Sequence, residues 1–587
     1  MEISVWAPTP DRVQLRVGTD QAQLLSMTRD AGGWWRTEID PAVHQPLDYA
    51  FLLDDDPIAL PDPRSAWQPY GVHGPSRWVD IGTYPWTDQS WAGPQQGSGV
   101  LGGVFYELHI GTFTEEGTFD AAISRLDHLV ELGVDVVGLM PVAAFPGRWG
   151  WGYDGAHPYA VHDPYGGPIG LARFVDACHR RGLAVSLDVV YNHLGPVGNY
   201  VNRFGPYFSD RHHTPWGSAV NFDGPDSAPV RRWVIDNALR WLRDFHIDAL
   251  RLDATHEMHD DSARHVLVEL SEEVAGLSGE LGRPLALVAE SDLNDPRVVT
   301  PVADGGLGMT AQWDDDVHHA LHVALTGETQ GYYADFAEAG ALAKTLTDAF
   351  FHDGRWSSFR GTQWGAPVDR TVIDGRRFVV ALQTHDQVGN RAVGDRIHDQ
   401  LSAAQHASGA TLCLLSAYTP MLFMGEEWAA GSPWQFFTDF DAHEPVARGV
   451  SQGRRAEFAE HGWLPESVPD PQDPATRAAS VLRWDEPGRD EHARMLAFYR
   501  SLITLRRDEP ELRDGRLDRV SVESDSQWLA MRRGRILVVV SFAAQPITVP
   551  LGDLTSARLA LAWDPDSVAL TAAGVGLGAH GVAVLIR

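Results

Sequence analysis

Between about residues 100 and 508, short apolar runs alternate with amphipathic stretches, eight runs in all. The runs are residues 104–110, 136–142, 183–190, 247–253, 285–290, 309–313, 378–382 and 421–424. Each has strand length and composition. Between them, residues 119–132 place Ile123, Leu126, Leu129 and Val130 on one helical stripe, and residues 231–245 place Val234, Ala238, Trp241, Leu242 and Phe245 on another. Strand–helix repeats with right-handed crossovers form a parallel sheet, and eight units close it into a (β/α)₈ TIM barrel.

The flanks read differently. Residues 1–95 show short alternating strands at 3–8, 13–17, 34–39 and 49–53, with Pro, Gly and Asp turns, as expected of an N-terminal β-sandwich. A polar stretch at 88–99 reads as the linker to a catalytic barrel over 96–510. Beyond 511, strands at 528–532, 536–542 and 582–586 predict a C-terminal β-sandwich domain. Residues 195–229, after the third strand, are long and rich in Pro, Gly and aromatics; long loops in compact domains are usually functional.

Four carboxylate-bearing segments end barrel strands in one order: Asp188-Val-Val-Tyr-Asn-His193, Arg251-Leu-Asp253, Val288-Ala-Glu290 and His385-Asp386. Strand C-termini converge on the face where barrel enzymes build their sites. Retaining glycoside hydrolysis needs one carboxylate to attack the anomeric carbon and another to protonate the leaving oxygen, then activate water. Asp253 suits the nucleophile, and Arg251, two residues earlier on the same strand face, sets a permanent positive charge beside it. Glu290 follows a fully apolar run, so desolvation should raise its pKa toward that of a general acid. Asp386 is a third carboxylate for the oxocarbenium-like state, and His193 and His385 can donate to sugar hydroxyls.

The formal net charge of -32 excludes nucleic acid, whose phosphates need basic patches, and suits a neutral substrate. The 21 Trp supply flat rings of the kind that stack on sugars. Lys344 is the sole lysine, which reads as codon bias toward Arg, with salt adaptation the alternative. Cys178 and Cys413 read as buried small hydrophobes. The start, Met1-Glu-Ile-Ser-Val-Trp6, lacks a basic-then-apolar leader, and no apolar run is long enough to cross a bilayer, so a cytoplasmic location is expected.

The four segments resemble, in order, the motif regions of glycoside hydrolase family thirteen, the α-amylase superfamily. The resemblance implies Asp253 as nucleophile, Glu290 as acid/base and Asp386 as transition-state stabiliser, with Asp188, His193, Arg251 and His385 binding sugar and Tyr153 stacking on the sugar whose bond is cut. Within the superfamily the chain is most similar to the maltooligosyltrehalose trehalohydrolases. The shared signatures are Gln68-Pro-Tyr-Gly-Val-His-Gly-Pro-Ser76, Tyr106-Glu-Leu-His-Ile-Gly-Thr-Phe-Thr114, Trp151-Gly-Tyr-Asp-Gly155, Gln312-Trp-Asp-Asp-Asp-Val-His-His319, Gln387-Val-Gly-Asn-Arg391, Phe423-Met-Gly-Glu-Glu-Trp428, Phe437-Thr-Asp439 and Val468-Pro-Asp-Pro-Gln-Asp-Pro474. The resemblance implies hydrolysis of the α-1,4 bond next to the terminal trehalose of a maltooligosyl trehalose, with functional coupling to a maltooligosyltrehalose synthase. Rival readings are a glycogen branching or debranching enzyme and a non-catalytic glucan-binding protein. Branching enzymes typically carry Gln after Gly-Tyr, where this chain has Asp154.

Thr384, Gly138 and Gly150 stand where relatives often have Asn, Glu and Asn. Trp216 and Phe222 are candidates to line a glucan groove, with loop packing the alternative. Asp314-Asp315-Asp316 with His318-His319 is read as structural or as part of the substrate rim, because consecutive residues point apart. Asn192 corresponds to a calcium-linked position in many α-amylases, but no matching oxygen set is evident, so no metal or other cofactor is expected. Glu426-Glu427 is read as a rim-closing, solvated or salt-bridged pair.

Overall fold

The computed structural model describes residues 1–19, 22–40, 46–94, 99–460, 464 and 467–587. Eight parallel strands close into a barrel: β1 Phe105–Leu108, β2 Val136–Leu139, β3 Ala184–Val189, β4 Ala249–Leu252, β5 Ala286–Ala289, β6 Ala311–Trp313, β7 Phe378–Ala381 and β8 Thr419–Phe423. Each coincides with one of the eight apolar runs, β8 starting slightly earlier. Every strand pairs with its neighbour in sequence, and β8 closes on β1 with Met421 opposite Phe105.

The strand period of two decides what fills the barrel. Phe105, Val136, Ala184, Ala249, Ala286, Ala311, Val379 and Met421 face inward as one cluster. Four of these are alanines, whose small side chains leave room for the Trp313 ring in the same cluster. Two residues further along, Glu107, Ser186 and Arg251 line the next inward layer with Gly138 and Val288. The same step carries Asp188 and Asp253 to the rim. Polar chemistry thus begins one layer above a closed apolar floor.

Helices α1 Gly167–His179, α2 Ser227–Asp244, α3 Val266–Leu281, α4 Asp315–Thr326, α5 Ala403–Leu415 and α6 Asp490–Asp508 surround the barrel. The stripe expected along α2 is buried as a set, and Phe245 just beyond it is buried too. The stripe expected at 119–132 breaks into Phe119–Ile123 and Leu126–Leu132. The Ser124 hydroxyl donates to the Ala121 carbonyl at 2.6 Å and ends the first piece. The second piece restarts at a different rotation, so Val130 lies exposed, while Phe119, Ala122 and Leu132 are buried. Cys178 and Cys413 are buried free thiols.

At the N-terminal end, Glu2–Trp6, Trp34–Glu38 and Thr28–Arg29 form one sheet, and Gln23–Ser26, Val13–Val17, Asp48–Leu53 and Ser76–Arg77 another. At the C-terminal end, a five-stranded sheet faces a three-stranded one across Leu537, Val539, Val549 and Val575. The expected linker is corrected for residues 88–94. It is a strap across the barrel base, because its acidic and aromatic side chains find buried partners. Asp88 is buried and lies 2.7 Å from His179 Nδ1. Trp91 stacks on His179 with ring centroids 4.4 Å apart, and its indole N–H donates to Asp248 at 2.8 Å. The expected linker's residues 95–98 lie outside the described residues. The 195–229 segment carries a hairpin, Phe208–Thr214 with Gly217–Val220. Phe222 is buried core, which removes it from any groove.

Candidate active site

Asp188 on β3 pairs in register with Arg251 on β4, and Arg251 with Val288 on β5. This register sets Asp188, Arg251, Asp253 and Glu290 side by side at the rim. Arg251 is the hub. Its Nη1 donates to Asp188 Oδ2 at 2.7 Å and to Asp253 Oδ1 at 2.8 Å. Its Nη2 lies 2.7 Å from Glu290 Oε2, an ion pair outside hydrogen-bond geometry. The guanidinium lies 4.3 Å from the Trp313 ring centroid, so an aromatic face supports the cation from within the barrel.

The chain turns sharply after the nucleophile candidate. Ala254 has φ 38, a left-handed conformation costly for alanine. That turn aims its N–H at Glu290 Oε2, 2.8 Å away. Burial, reinforced by Asp253 and Asp386 and opposed by Arg251, holds the Glu290 carboxyl well above its ordinary range. This matches the expectation from the apolar run. Burial also pushes Asp188 up to about 6, against the pull of Arg251.

Tyr153 reaches the rim from the loop after β2. Gly152 before it has φ 104, and a Cβ there would lie 2.3 Å from the Pro141 carbonyl oxygen, so only glycine makes this turn. The Tyr153 hydroxyl donates to Asp188 Oδ2 at 2.7 Å and lies 2.8 Å from His385 Nε2, while its ring stacks on His385. His193 Nε2 lies 3.1 Å from the Tyr153 carbonyl, and its ring stacks on the exposed Trp216. The insertion hairpin therefore brings Trp216 to the site edge. Thr384 caps the short helix His385–Gly389 through a capping box with Gln387.

Asp386, the most exposed of the three candidate carboxylates, shares with Glu290 a cleft of about 300 Å³. Trp313, Asp315, Tyr332, Phe359 and Arg360 also line it. All eight residues singled out from the sequence, Tyr153, Asp188, His193, Arg251, Asp253, Glu290, His385 and Asp386, come together here.

Three others join them: Asn192, which the sequence offered only as a calcium-linked position, Asp315, within the run read as structural or substrate rim, and Glu107, to which the sequence assigned no role. Asn192 donates through Nδ2 to Asp253 Oδ2 at 2.8 Å and to the Asp253 carbonyl at 2.7 Å. Its amide oxygen contacts His193 Nδ1, so both ends of the amide are engaged within the site. Asp315 faces Asp386, and burial together with that neighbour pushes it up to about 7. The aspartate run thus divides: Asp314 caps α4, Asp316 lines the cleft but is engaged by the Phe351 and His352 N–H groups, and Asp315 lines the cleft on the side of Asp386. Glu107 is the third. The period of two from inward Phe105 was the available signal for it.

Two other acidic groupings lie outside this site. Glu426 and Glu427 are fully buried rather than solvated at the rim; Glu427 meets His128 at 2.8 Å, and Glu426 accepts from the Tyr499 hydroxyl at 3.0 Å. Among the described residues, His212, Asp223 and Asp261 bring ligand-type atoms within 4.8 Å of one another. Arg211 stands 3.8 Å from Asp223 and 3.6 Å from Asp261, so a side-chain cation already balances that cluster.

A closed (β/α)₈ barrel with three carboxylates around a buried arginine on its C-terminal rim has the makings of a glycoside hydrolase. Residues 89–213 match the family model described as alpha amylase, catalytic domain. The chain is 52% identical to a malto-oligosyltrehalose trehalohydrolase of Mycobacterium tuberculosis, over 96% of this chain and 95% of that one. It is also 52% identical to one of Arthrobacter ramosus, over 99% and 98%. The crystal structure of a candidate alpha amylase from Salmonella typhimurium superposes with TM-score 0.89 at 38% identity, covering 100% of this chain and 97% of that one. The chain belongs to the malto-oligosyltrehalose trehalohydrolase family.

Proposed function

We propose that the protein hydrolyses the α-1,4-glucosidic bond next to the terminal trehalose of a maltooligosyl trehalose, releasing trehalose and a maltooligosaccharide. Near-full-length identity to named trehalohydrolases supports the substrate. One observation carries the chemistry: a single guanidinium, Arg251, spans Asp253 and Glu290. That keeps the two carboxylates close, as double displacement with retention requires. Asp253 Oδ2 attacks the anomeric carbon while Glu290 gives its proton to the departing glycosidic oxygen. The leaving fragment diffuses away, Glu290 takes a proton from water, and the resulting hydroxide displaces Asp253. Asp386 stabilises the developing positive charge. Asp188, His193, His385 and Tyr153 hold the hydroxyls and ring face of the sugar whose bond is cut. An enzyme that builds trehalose ends onto maltooligosaccharides is the coupled supplier of this substrate.

Among the described residues no helix is long and apolar enough to cross a membrane. The functional test is product analysis with maltopentaosyl trehalose beside amylose. Free trehalose is the expected product, and a changed branch-point content would favour a branching enzyme. Asp253→Ala and Glu290→Gln should each abolish turnover with circular dichroism unchanged. Near-parental activity in either would sink the role assigned to that residue.

A further inference from the structure

Glu107 belongs to none of the four acidic segments, yet it reaches into the site from β1. It is buried, and it grips one residue twice. Its Oε1 lies 2.6 Å from His385 Nδ1, and its Oε2 accepts from the His385 backbone N–H at 3.0 Å. Ring and backbone are thereby fixed by one carboxylate on the opposite side of the β8–β1 closure.

The proton count at His385 follows from its partners. The Tyr153 hydroxyl has one proton and two neighbours, Asp188 Oδ2 at 2.7 Å and His385 Nε2 at 2.8 Å. Asp188 Oδ2, which also accepts from Arg251, takes that proton. Nε2 must then donate to the tyrosine oxygen. Nδ1 faces a carboxylate, an acceptor when ionised, so it carries a proton as well. Both nitrogens donate, and the ring is an imidazolium.

The other groups facing the ring are Asp386 from the same segment, with Oδ2 3.6 Å from Nε2, and Arg251 from β4, which opposes its charge. His109, from the loop after β1, is held neutral at ordinary pH by burial. Trp151 meets the ring edge-on. Burial works against the charge on His385, but Glu107 and then Asp386 outweigh it and push the imidazole up to about 9.

We infer that Glu107 is a positioning residue for the hydrolysis proposed above: it holds His385 as an oriented imidazolium that donates to the Tyr153 hydroxyl and so keeps Tyr153 and Asp188 aligned against the sugar. This rests on the hydrolase reading, and the experiment separates the two. Parent protein that releases no trehalose from maltopentaosyl trehalose counts against the reading itself. With activity in hand, Glu107→Gln, His385→Gln and the double variant are compared by kcat/KM across pH.

Glu107→Gln keeps the volume and one acceptor oxygen but removes the charge. It should lower kcat/KM by about 10- to 100-fold, the range found for groups that orient a ligating histidine. The pH at which His385 loses its imidazolium proton, followed by histidine NMR, should fall by about 1–3 units in Glu107→Gln, because a carboxylate beside a cation stabilises it to that extent. The double variant should be no worse than His385→Gln alone. Losses that multiply in the double variant, or a His385 titration that stays at its parental pH in Glu107→Gln, overturn the inference. Should Glu107→Gln fail to fold by circular dichroism, Glu107→Asp carries the same cycle with the same two outcomes for additivity.

Discussion

At the residue scale, the site is a set of proton positions fixed by burial and by Arg251. Asp188 shows how this becomes a pH response. Burial pushes it up to about 6, so it is an anion above that value and neutral below. Only the anion fully satisfies the two donors aimed at Oδ2, Tyr153 and Arg251. kcat/KM should therefore fall as pH drops through about 6, on the acid side of the profile, since this ratio reports groups of the free enzyme. Asp188→Asn, neutral at every pH, should be slower throughout and lack that limb. A limb unchanged in the variant would assign it to another group. The sequence exposed the carboxylates because each ends an apolar run. It hid the grip of Asn192 on Asp253 and that of Glu107 on His385, which depend on which strand lies beside theirs.

At the element scale, the legible features were those with a period. All eight barrel strands and the α2 stripe follow from spacing alone. The break at Ser124 did not, because one hydroxyl-to-carbonyl bond decides it. Nor did the strap over the barrel base, whose polar composition reads as linker until its partners are known. Asp248 anchors that strap. It accepts from Trp91 Nε1 at 2.8 Å, Val185 N and Arg283 Nη1 at 2.9 Å, and His179 Nε2 at 3.0 Å. Burial alone would raise this carboxyl, but His179 and then Arg283 outweigh it and hold it low.

Asp248→Asn keeps the shape but turns a donor toward donors. It should cost about 3–5 kcal/mol, as for other broken buried charge pairs. A carboxyl held low in the folded state contributes its stability above the ordinary carboxylate range and loses it as pH falls. The deficit in denaturant unfolding should therefore be widest near neutral pH and narrow in acid. Because the strap sits at the barrel end away from the chemistry, kcat should not change. A fall in kcat without a fall in stability would contradict this placement.

At the scale of the whole molecule, two buried arginines meet at the seam between barrel and C-terminal sheets, Arg506 from the barrel side and Arg533 crossing from the sheets. Arg506 on α6 donates to the Leu414, Ser416 and Tyr418 carbonyls at 2.7, 3.0 and 2.7 Å. Arg533, from the five-stranded sheet, donates to the Leu415, Ser416 and Leu512 carbonyls at 3.0, 2.6 and 3.1 Å. Together they satisfy the orphan carbonyls at the C-terminus of α5, where the helix dipole favours cations. Sequence composition marked a change near 511 but not this clamp, since arginine ordinarily sits at the surface. We propose 511 as the boundary on these grounds, and Arg533 makes it testable. Arg533→Ala strands the Leu415 and Leu512 carbonyls, at about 1–3 kcal/mol each, while Arg506 still serves Ser416. The sheets should loosen as a unit, so limited proteolysis should cut near 511 sooner than in the parent and leave a resistant N-terminal fragment. Thermal unfolding should begin earlier, while kcat/KM of the intact variant at low temperature stays parental because the rim is untouched. Parental protease resistance with an unchanged melt would mean that the apolar interface alone holds the C-terminal sheets in place.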